Sequence, residues 1–335
     1  MKRFSFTNLL FNLLVAVLFM AAGLPALPAV GAAAIGGHLM SYADLSGSAR
    51  DGLLKEVWTN VLLEGFYPDT SFINEGRDMS SLVEYNKINL AEAGANPTVL
   101  IDNTSYPIAV SSRTDVPKEL ALKTLDTTST VVGNIEAMEL AYDKMASVVF
   151  GHRAALQKKA GALAAWNWAP ASNGTYTPVI AATGTLTGGY KKLTFADVLN
   201  LMLAFNKADI SPDGRVLVLN PQHEADLIAA DLAQYKTAMQ GGMLFGFKLY
   251  RTTLTPTYNA STGAKVAFGA EAAVTDTIAS FAFQKDEVMK AMGSIDVFAK
   301  YKDPDYKGDI INFQMRFCAL QLRTKGVGAI YSPLS

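Results

Sequence analysis

Side chains that commonly perform chemistry are few and scattered in this sequence. The three histidines, His38, His152 and His223, stand far apart along the 335 residues, and Cys318 is the one cysteine. One cysteine excludes an intrachain disulfide framework and a cysteine-based zinc site. Cys318 lies within an apolar strand pattern, so we expect a buried, inert thiol. Three isolated histidines make a poor catalytic triad or metal site.

One short motif is similar to a zinc-protease helix. His223 is followed by Glu224, but the position four residues after His223 is Leu227, where a second histidine ligand is needed. We therefore interpret His223 as a surface residue near the start of a helix. The sequence also contains no Gly-x-Ser-x-Gly elbow and no phosphate-binding Gly-Lys-Ser/Thr loop.

A second motif, Asp303–Asp309, is similar to a calcium-binding loop. Lys307 occupies a ligand position, and Gln314 stands where a bidentate glutamate is needed. A solvated turn between two strands is the better interpretation. The sequence therefore predicts no catalytic, cofactor-binding or metal-binding residue, and no enzyme activity.

The composition points towards contacts with other protein chains. Half of the residues are apolar, only 18% are charged, and the formal net charge is −1. Such low charge for a chain of this length suggests that much of its surface is covered by partners. A near-neutral chain implies no broad basic face for nucleic acid.

The first 44 residues have the layout of a secretory signal peptide. Lys2 and Arg3 precede the apolar run Leu9–Leu24, and small residues follow at Ala32–Ala34. Two other interpretations stay open for 1–44. The segment is then either an arm that takes part in assembly or is removed by processing, or a start-site artefact with the true beginning near Met40.

The next two segments are a short helix and a long ribbon. Leu45–Leu63 has the apolar spacing of an amphipathic helix. Phe72–Val116 predicts a β-ribbon with arms at Ser81–Leu90 and Thr98–Val110 and a turn at Ala93–Pro97. A ribbon with so few large apolar residues is marginal by itself, so we expect it to lie against another subunit.

A long helix and an α/β region follow. Apolar residues at spacings of three and four predict a helix over Gly133–Trp168, with Asn134 as its cap. The α/β region is predicted from start and stop signals, with a helix from Phe195 to about Asn206 behind the cap Thr194 and a helix from Asn220-Pro221 to Gly241-Gly242. Predicted strands are Arg215–Leu219, Leu249–Leu254 and Val266–Phe268.

The last segment alternates strictly between apolar and polar residues. Ile311, Phe313, Met315 and Phe317 share one face, but from Leu320 the apolar residues change face. Because the side-chain period of a strand is two, such a change predicts a bulge or bend, which we place at Cys318–Leu320.

This order of segments resembles the major capsid proteins of tailed double-stranded DNA phages, the Hong Kong 97 type, over roughly residues 45–332. The resemblance rests on Ser80–Val116 as an extended loop, Gly133–Trp168 as a spine helix, Arg215–Pro221, Gly242–Tyr250, and the closing Gly326–Tyr331. It implies an α+β fold with an N-terminal arm, an extended β-ribbon loop, a long spine helix, a peripheral domain and an axial α/β domain.

The resemblance also implies a division of the chain. The expected segments are 1–44 (signal-like, or an arm or processing segment), 45–71 (N-terminal arm and helix), 72–132 (extended loop and start of the peripheral domain), 133–170 (spine helix), 171–293 (axial domain) and 294–335 (closing strands of the peripheral domain).

The implied function is a structural subunit that self-assembles into an icosahedral capsid shell around double-stranded DNA. It would form pentamers and hexamers, meet scaffold, portal and decoration proteins, touch packaged DNA weakly, and belong to a virion assembled in the host cytoplasm. Thr183–Gly189 and Gln240–Phe245 are candidates for the edge that faces a symmetry axis. The alternative is a secreted or envelope-anchored bacterial binding protein with a cleaved signal peptide.

Some members of that family crosslink a loop lysine to an asparagine of a neighbour, assisted by a glutamate. Lys87 lies in the expected loop and Asn312 on a late strand, but no glutamate follows Glu287. Ordinary solvation explains both residues. Near the spine helix, Lys144, Arg153, Lys158 and Lys159 are offset by Glu136, Glu139 and Asp143, so we expect a mildly basic face and weak DNA contact.

Overall fold

A computed structural model describes residues 71–92, 99, 101–104, 106–108, 116–133, 144–271 and 273–334. The chain divides into two units, 1–60 and 61–335, and every described residue belongs to the second. The expected segment 1–44 and the expected helix Leu45–Leu63 lie outside the described residues.

The described residues form α-helices and β-strands, and the strands belong to two larger sheets and two two-stranded ribbons. In chain order these are β1 (Arg77–Asp78), β2 (Lys87–Glu92), β3 (Val116–Ala121), β4 (Lys123–Asp126), β5 (Thr130–Gly133), α1 (Lys144–Trp168), β6 (Val179–Ala181), β7 (Leu186–Thr187), β8 (Tyr190–Lys191), α2 (Phe195–Lys207), β9 (Arg215–Leu219), α3 (Pro221–Ala230), α4 (Leu232–Gly241), β10 (Met243–Leu244), β11 (Phe247–Arg251), β12 (Thr257–Asn259), β13 (Asp276–Gln284), β14 (Val288–Asp303), β15 (Gly308–Gln321) and β16 (Val327–Tyr331).

One sheet is built around the long hairpin of β14 and β15. Its order is β1-β14-β15-β4, and β5 also pairs with β15. Helix α1 packs over β15, β4 and β5. The predicted alternation of β15 is confirmed, because Ile311, Phe313, Met315 and Phe317 are buried while the residues between them are half-buried. The ring of Phe313 lies 5.1 Å from that of His152 on α1, which identifies the covered face.

The irregularity expected at Cys318–Leu320 is wrong. Here β15 keeps a continuous register with β14, and Cys318 pairs with Ala291. The register shifts of this hairpin fall on β14 instead, between Met292 and Ile295 and between Lys300 and Asp303. The apolar phase changes because the covered side changes, with Cys318 packed in a second cluster beside Met79, Ile88 and Leu120 on the face away from α1.

The second sheet has seven strands in the order β10-β11-β9-β13-β16-β6, with β12 on β13. Its central strand β9 is buried along its whole length, as predicted for Arg215–Leu219. Helix α2 packs against β16 and β6 of this sheet through a face that buries Val198, Leu201 and Phe205. Strand β16 pairs with β13 and β6, so the closing segment 294–335 contributes to both sheets.

Two of the predicted helix starts are confirmed in atomic detail. Thr194 and Asp197 form a capping box at the start of α2. The Asn220 side chain accepts a hydrogen bond from the Gln222 N–H (3.0 Å), with Pro221 at the first position of α3. Each side chain satisfies backbone donors that a helix start leaves unpaired, a contribution of about 1 kcal/mol.

Other boundaries differ from the predictions. The helix expected to run to Gly241 is two helices, because Asp231 is extended (φ −156°) and its carboxylate caps α4 through the Ala233 and Gln234 N–H groups. Strand β11 ends at Arg251, and Val266–Phe268 forms no strand. Gly133 ends β5 instead of beginning a helix, and the expected cap Asn134 lies outside the described residues.

The carboxyl end of α1 is closed by side chains from two distant parts of the chain. The Lys265 Nζ donates to the carbonyls of Trp166 (2.7 Å) and Ala169 (2.6 Å). The Gln321 Nε2 donates to the carbonyls of Asn167, Trp168 and Ala169 at 3.0–3.3 Å. The last carbonyls of a helix have no partner within the helix and carry partial negative charge, so an ammonium and an amide stabilise them.

We predict that Gln321→Met lowers the free energy of unfolding by about 1–2 kcal/mol, because half-buried carbonyls lose their donor. The matched control is Gln314→Met on the same strand, where an exposed amide donates only to Asp126 (2.7 Å). That change should cost less than about 1 kcal/mol. Urea unfolding followed by tryptophan fluorescence measures both, and equal losses would contradict the capping role.

Candidate functional site

His223 is fully buried, so the interpretation as a surface residue is wrong. It lies on the face of α3 that also buries Asp226 and Leu227. Its Nδ1 is 2.7 Å from the Ser280 Oγ and its Nε2 is 2.9 Å from the Ser332 Oγ. The Ser280 Oγ also accepts from the Asn220 N–H (3.0 Å). In the neutral ring one nitrogen donates its hydrogen to a serine Oγ and the other accepts from a serine hydroxyl.

Both ring nitrogens of His223 are therefore used inside the fold. Burial lowers the pKa of His223 to about 4, so the ring is neutral near pH 7. A neutral imidazole with both nitrogens bonded to serines cannot ligate a metal without breaking this connection between α3, β13 and the residue after β16. The geometry makes His223 a structural link.

Cys318 and the loop 303–309 also serve the fold. Cys318 is buried as predicted, and burial raises the pKa of its thiol to about 11, which suppresses the reactive thiolate. Loop 303–309 is the turn between β14 and β15, as predicted. The Asp303 carboxylate accepts from the Asp305 N–H (2.9 Å) and pairs with Lys300 (2.5 Å). Within the described ranges, no group of three or more histidine, cysteine or acidic residues is placed to hold a metal ion.

His152 lines a cleft between α1 and the β4–β5 segment, with a volume of about 610 Å³. The side chain is buried, burial lowers its pKa, and its Nε2 makes no hydrogen bond to any described residue. Four threonines dominate the polar part of the lining: Thr124, Thr127, Thr128 and Thr130. None of the described helices is both long enough and apolar enough to cross a membrane.

Strands β2 and β3 form a two-stranded ribbon. The strands pair from Lys87 with Ala121 to Glu92 with Val116. At its base, Ile88 and Leu120 are buried against Met289 of the five-stranded sheet. This contact anchors the ribbon to its own subunit.

Beyond this base, the ribbon exposes large apolar side chains. Val99 is 85% exposed, Ile101 87% and Tyr106 76%. Soluble surfaces seldom gather such residues unless a partner covers them. The described tip residues therefore form a candidate assembly surface.

The predicted arms of the ribbon are partly wrong. The second arm is Val116–Ala121, not Thr98–Val110, and the expected turn at Ala93–Pro97 lies outside the described residues. Pro117, Lys118 and Glu119 kept this strand from being predicted, because proline and charged residues are uncommon in strands. Lys87 and Glu119 compensate with an exposed ion pair across the ribbon (2.9 Å).

The residues considered for a crosslink make ordinary contacts in the subunit. Lys87 pairs with Glu119, and the Asn312 Nδ2 donates to the Ser129 Oγ (3.0 Å). Ordinary polar contacts therefore remain the expectation for both residues.

The two segments expected near a symmetry axis lie at opposite edges of the seven-stranded sheet. The β7–β8 hairpin, which overlaps Thr183–Gly189, follows the edge strand β6, and Gln240–Phe245 contains the edge strand β10. Their turns use glycines at positive φ, among them Gly188 (65°) and Gly242 (67°). Their position relative to an axis stays a prediction.

No protein-family model matches this sequence, and no curated protein sequence matches it either. Its structure is similar to solved structures. A chain from Mycobacterium phage Che8 matches with a TM-score of 0.55 at 17% identity, covering 78% of this chain and 91% of that one. A chain of the capsid of Ralstonia phage GP4 matches at 0.56 and 11% identity, covering 77% and 87%.

A chain of the virus-like particle from Pyrococcus furiosus matches with a TM-score of 0.53 at 12% identity, covering 83% of this chain and 99% of that one. At these identities the likeness shows the fold. The chain has the α+β fold of phage major capsid proteins of the Hong Kong 97 type, as the segment order predicted.

We predict that stability falls between pH 6.5 and pH 4 through His223. Its pKa in the folded chain is about 4, below the ordinary 6.5, so the unfolded chain binds more protons in this window. The full shift is worth about 3 kcal/mol. Unfolding midpoints at pH 7 and pH 4.5 should differ less in His223→Gln than in the native chain. An unchanged pH dependence in that variant would contradict the assignment.

Proposed function

We propose that this chain is the structural subunit of an icosahedral phage capsid shell that encloses double-stranded DNA. The observation that carries the proposal is the ribbon, whose base is anchored and whose described tip exposes Val99, Ile101 and Tyr106, within a capsid-type fold. A single subunit gains nothing from such a tip, whereas a neighbouring copy could cover it.

The free energy available from this contact is substantial. Burying a large apolar side chain contributes about 1.5–3 kcal/mol. The exposed tip includes Tyr106 and Ile108 in addition to Val99 and Ile101. Ordering the tip and association itself cost part of this energy. Because a closed shell repeats the contact at every subunit, even a modest net gain at each one drives assembly.

Rings of five and six copies would use the seven-stranded sheet region. The same sequence must fill both kinds of ring, so the contacts around the axis must adapt. Glycines at positive φ at Gly188, Gly189 and Gly242 permit backbone adjustment in the two candidate segments. These segments are our candidates for the axis-facing edge.

The partners and setting follow from the shell function. A near-neutral chain should contact packaged DNA weakly and without sequence preference. On α1 two of the four basic residues lie over aromatic rings, Arg153 over Phe150 (5.0 Å) and Lys159 over Phe268 (4.9 Å). Glu136, Glu139 and Asp143 lie outside the described residues. Scaffold, portal and decoration proteins, and assembly in the host cytoplasm, belong to the same proposal.

The proposal involves no enzyme chemistry. Two groups considered for metal binding are engaged in the fold: His223 by two serines and Asp303 by Lys300 and a backbone N–H. The secreted binding-protein alternative rests on residues 1–44, which lie outside the described residues, and no observation favours it.

We predict that replacing residues 93–115 by Asn-Gly yields a folded subunit that fails to form closed shells. Glu92 and Val116 are directly paired, so a two-residue hairpin turn can join them. The buried base at Ile88 and Leu120 stays intact. Circular dichroism and the unfolding midpoint should match the native chain, while sedimentation velocity and negative-stain microscopy should lose the particle peak.

A variant of native length separates loss of contact from loss of chain. Val99→Ser, Ile101→Ser and Tyr106→Ser together should also prevent closure, because they remove most of the tip's exposed apolar surface. Val274→Ser is the matched control, since Val274 is 96% exposed outside the ribbon. Normal shells from the triple variant would refute the role of the tip.

A further inference from the structure

Strand β14 presents a long unpaired edge. Strand β1 covers only Met289 and Lys290, and the Met292 N–H donates to the Ser80 Oγ (3.0 Å). From Ile295 to Lys300, no strand in the described part of the chain pairs with this edge. Natural proteins rarely leave such an edge open, because it is a template for pairing with another chain.

The contacts of β15 reveal which backbone groups point out of the β14 edge. Phe313 lies opposite Val297 in the register of the two strands. Its backbone hydrogen bonds, however, are made on the side of β15 that faces away from β14. The Thr127 N–H donates to the Phe313 carbonyl (2.9 Å), and the Phe313 N–H donates to the Thr127 Oγ1 (2.9 Å). Val297 and Phe313 are therefore a non-hydrogen-bonded pair within the sheet.

Hydrogen-bonded and non-hydrogen-bonded pairs alternate along an antiparallel ladder, so the direction of the backbone groups of the neighbouring residues follows. Asp296 and Phe298 turn their N–H and C=O groups inward to β15. Ile295, Val297 and Ala299 turn theirs outward, towards solvent. The open edge thus offers donors and acceptors at every second residue over a regular stretch.

We propose that β14 pairs antiparallel with β14 of a second copy, across a two-fold axis at Phe298. This register sets Val297 opposite Ala299 of the second copy, and both have outward backbone groups. Each such pair exchanges two hydrogen bonds, and the symmetry repeats it. Registers centred between two residues fail, because they set an outward residue opposite an inward one.

Charge selects among the registers that remain. With the axis at Phe298, Asp296 lies opposite Lys300 of the second copy, twice per dimer. Axes at Val297 or Ala299 would instead set a charged residue opposite Phe298. Among the described residues Asp296 has no cation within 4 Å, and its carboxylate accepts only from the Ser294 Oγ (3.4 Å). The Lys300 side chain is 66% exposed and can bridge between Asp303 and the incoming Asp296.

The side chains and the helix allow this approach. Phe298 is 51% exposed in the middle of the edge, on the face opposite α1. Facing itself across the axis, it forms a non-hydrogen-bonded pair, in which Cα atoms lie about 4.5 Å apart and side chains touch closely. Helix α1 packs over β15, β4 and β5, away from this edge.

The inference deepens the proposed shell function and rests on it for its setting. A closed icosahedral shell contains two-fold axes between neighbouring rings, and an isologous contact requires such an axis. The five-stranded sheets of two subunits would join there into one continuous sheet.

Cysteine crosslinking in assembled particles tests the pairing. Phe298→Cys places two thiols at a Cα separation within disulfide range, so mild oxidation should give a covalent dimer on a non-reducing gel. Tyr306→Cys is the matched control: Tyr306 is 62% exposed in the turn beyond β14, and its two copies would lie more than about 20 Å apart. The native Cys318 is buried and should not react.

Charge variants in the Phe298→Cys background test the register. Asp296→Lys should lower the dimer yield about fivefold, because it sets like charges opposite each other twice. Adding Lys300→Asp should restore the yield. Particles that form without a Phe298→Cys dimer, or with equal Tyr306→Cys crosslinking, would overturn the pairing and leave the shell function standing. Failure of the native chain to form particles would count against the shell function, whereas crosslinked free dimers would still support the pairing.

Discussion

The closed carboxyl end of α1 is the interaction on which the rest of the subunit depends. Lys265 comes from the region of the seven-stranded sheet, and Gln321 is the last residue of β15 in the other sheet. Both bind the Ala169 carbonyl and carbonyls of the last turn of α1, so one helix end connects the two sheets. Burial lowers the pKa of Lys265 to about 8, and the Trp166 ring lies 4.3 Å from its ammonium, which offsets part of that desolvation. The neighbouring Trp168 adds a hydrogen bond to the Met289 carbonyl (3.1 Å).

Because the core is held together in this way, other surfaces of the subunit can remain uncovered. The ribbon tip exposes apolar side chains, and the β14 edge exposes backbone groups, yet neither weakens the core that supports it. The low fraction of charged residues fits the same division, because surface that a neighbour covers need not be solvated by charge. Function in such a chain lies in what the single subunit does not bury, and the burial of His152, His223 and Cys318 is consistent with that.

Local signals in the sequence predicted local structure well. The caps at Thr194 and Asn220, the strand Arg215–Leu219 and the alternation of β15 depend on neighbouring residues alone. Features set by tertiary contacts were not predictable. Asp231 breaks a helix that its neighbours would continue, and β15 changes its apolar face because the cover moves from α1 to the base of the ribbon. His223 was predicted to be exposed because its hydrogen-bond partners, Ser280 and Ser332, are distant from it along the chain. The open edge of β14 could not be predicted either, because it depends on the strand order of the sheet, in which β4 and β5 pair with β15 and not with β14.

Copies of this chain are expected to close into a shell. A cryo-electron microscopy reconstruction of the particles formed by the full chain, expressed alone or with its neighbouring genes, tests this. We expect icosahedral particles whose walls consist of rings of five and six copies of this fold, with each ribbon tip covered by an adjacent subunit. A chain that remains monomeric under all assembly conditions, or particles in which every tip stays open to solvent, would contradict it.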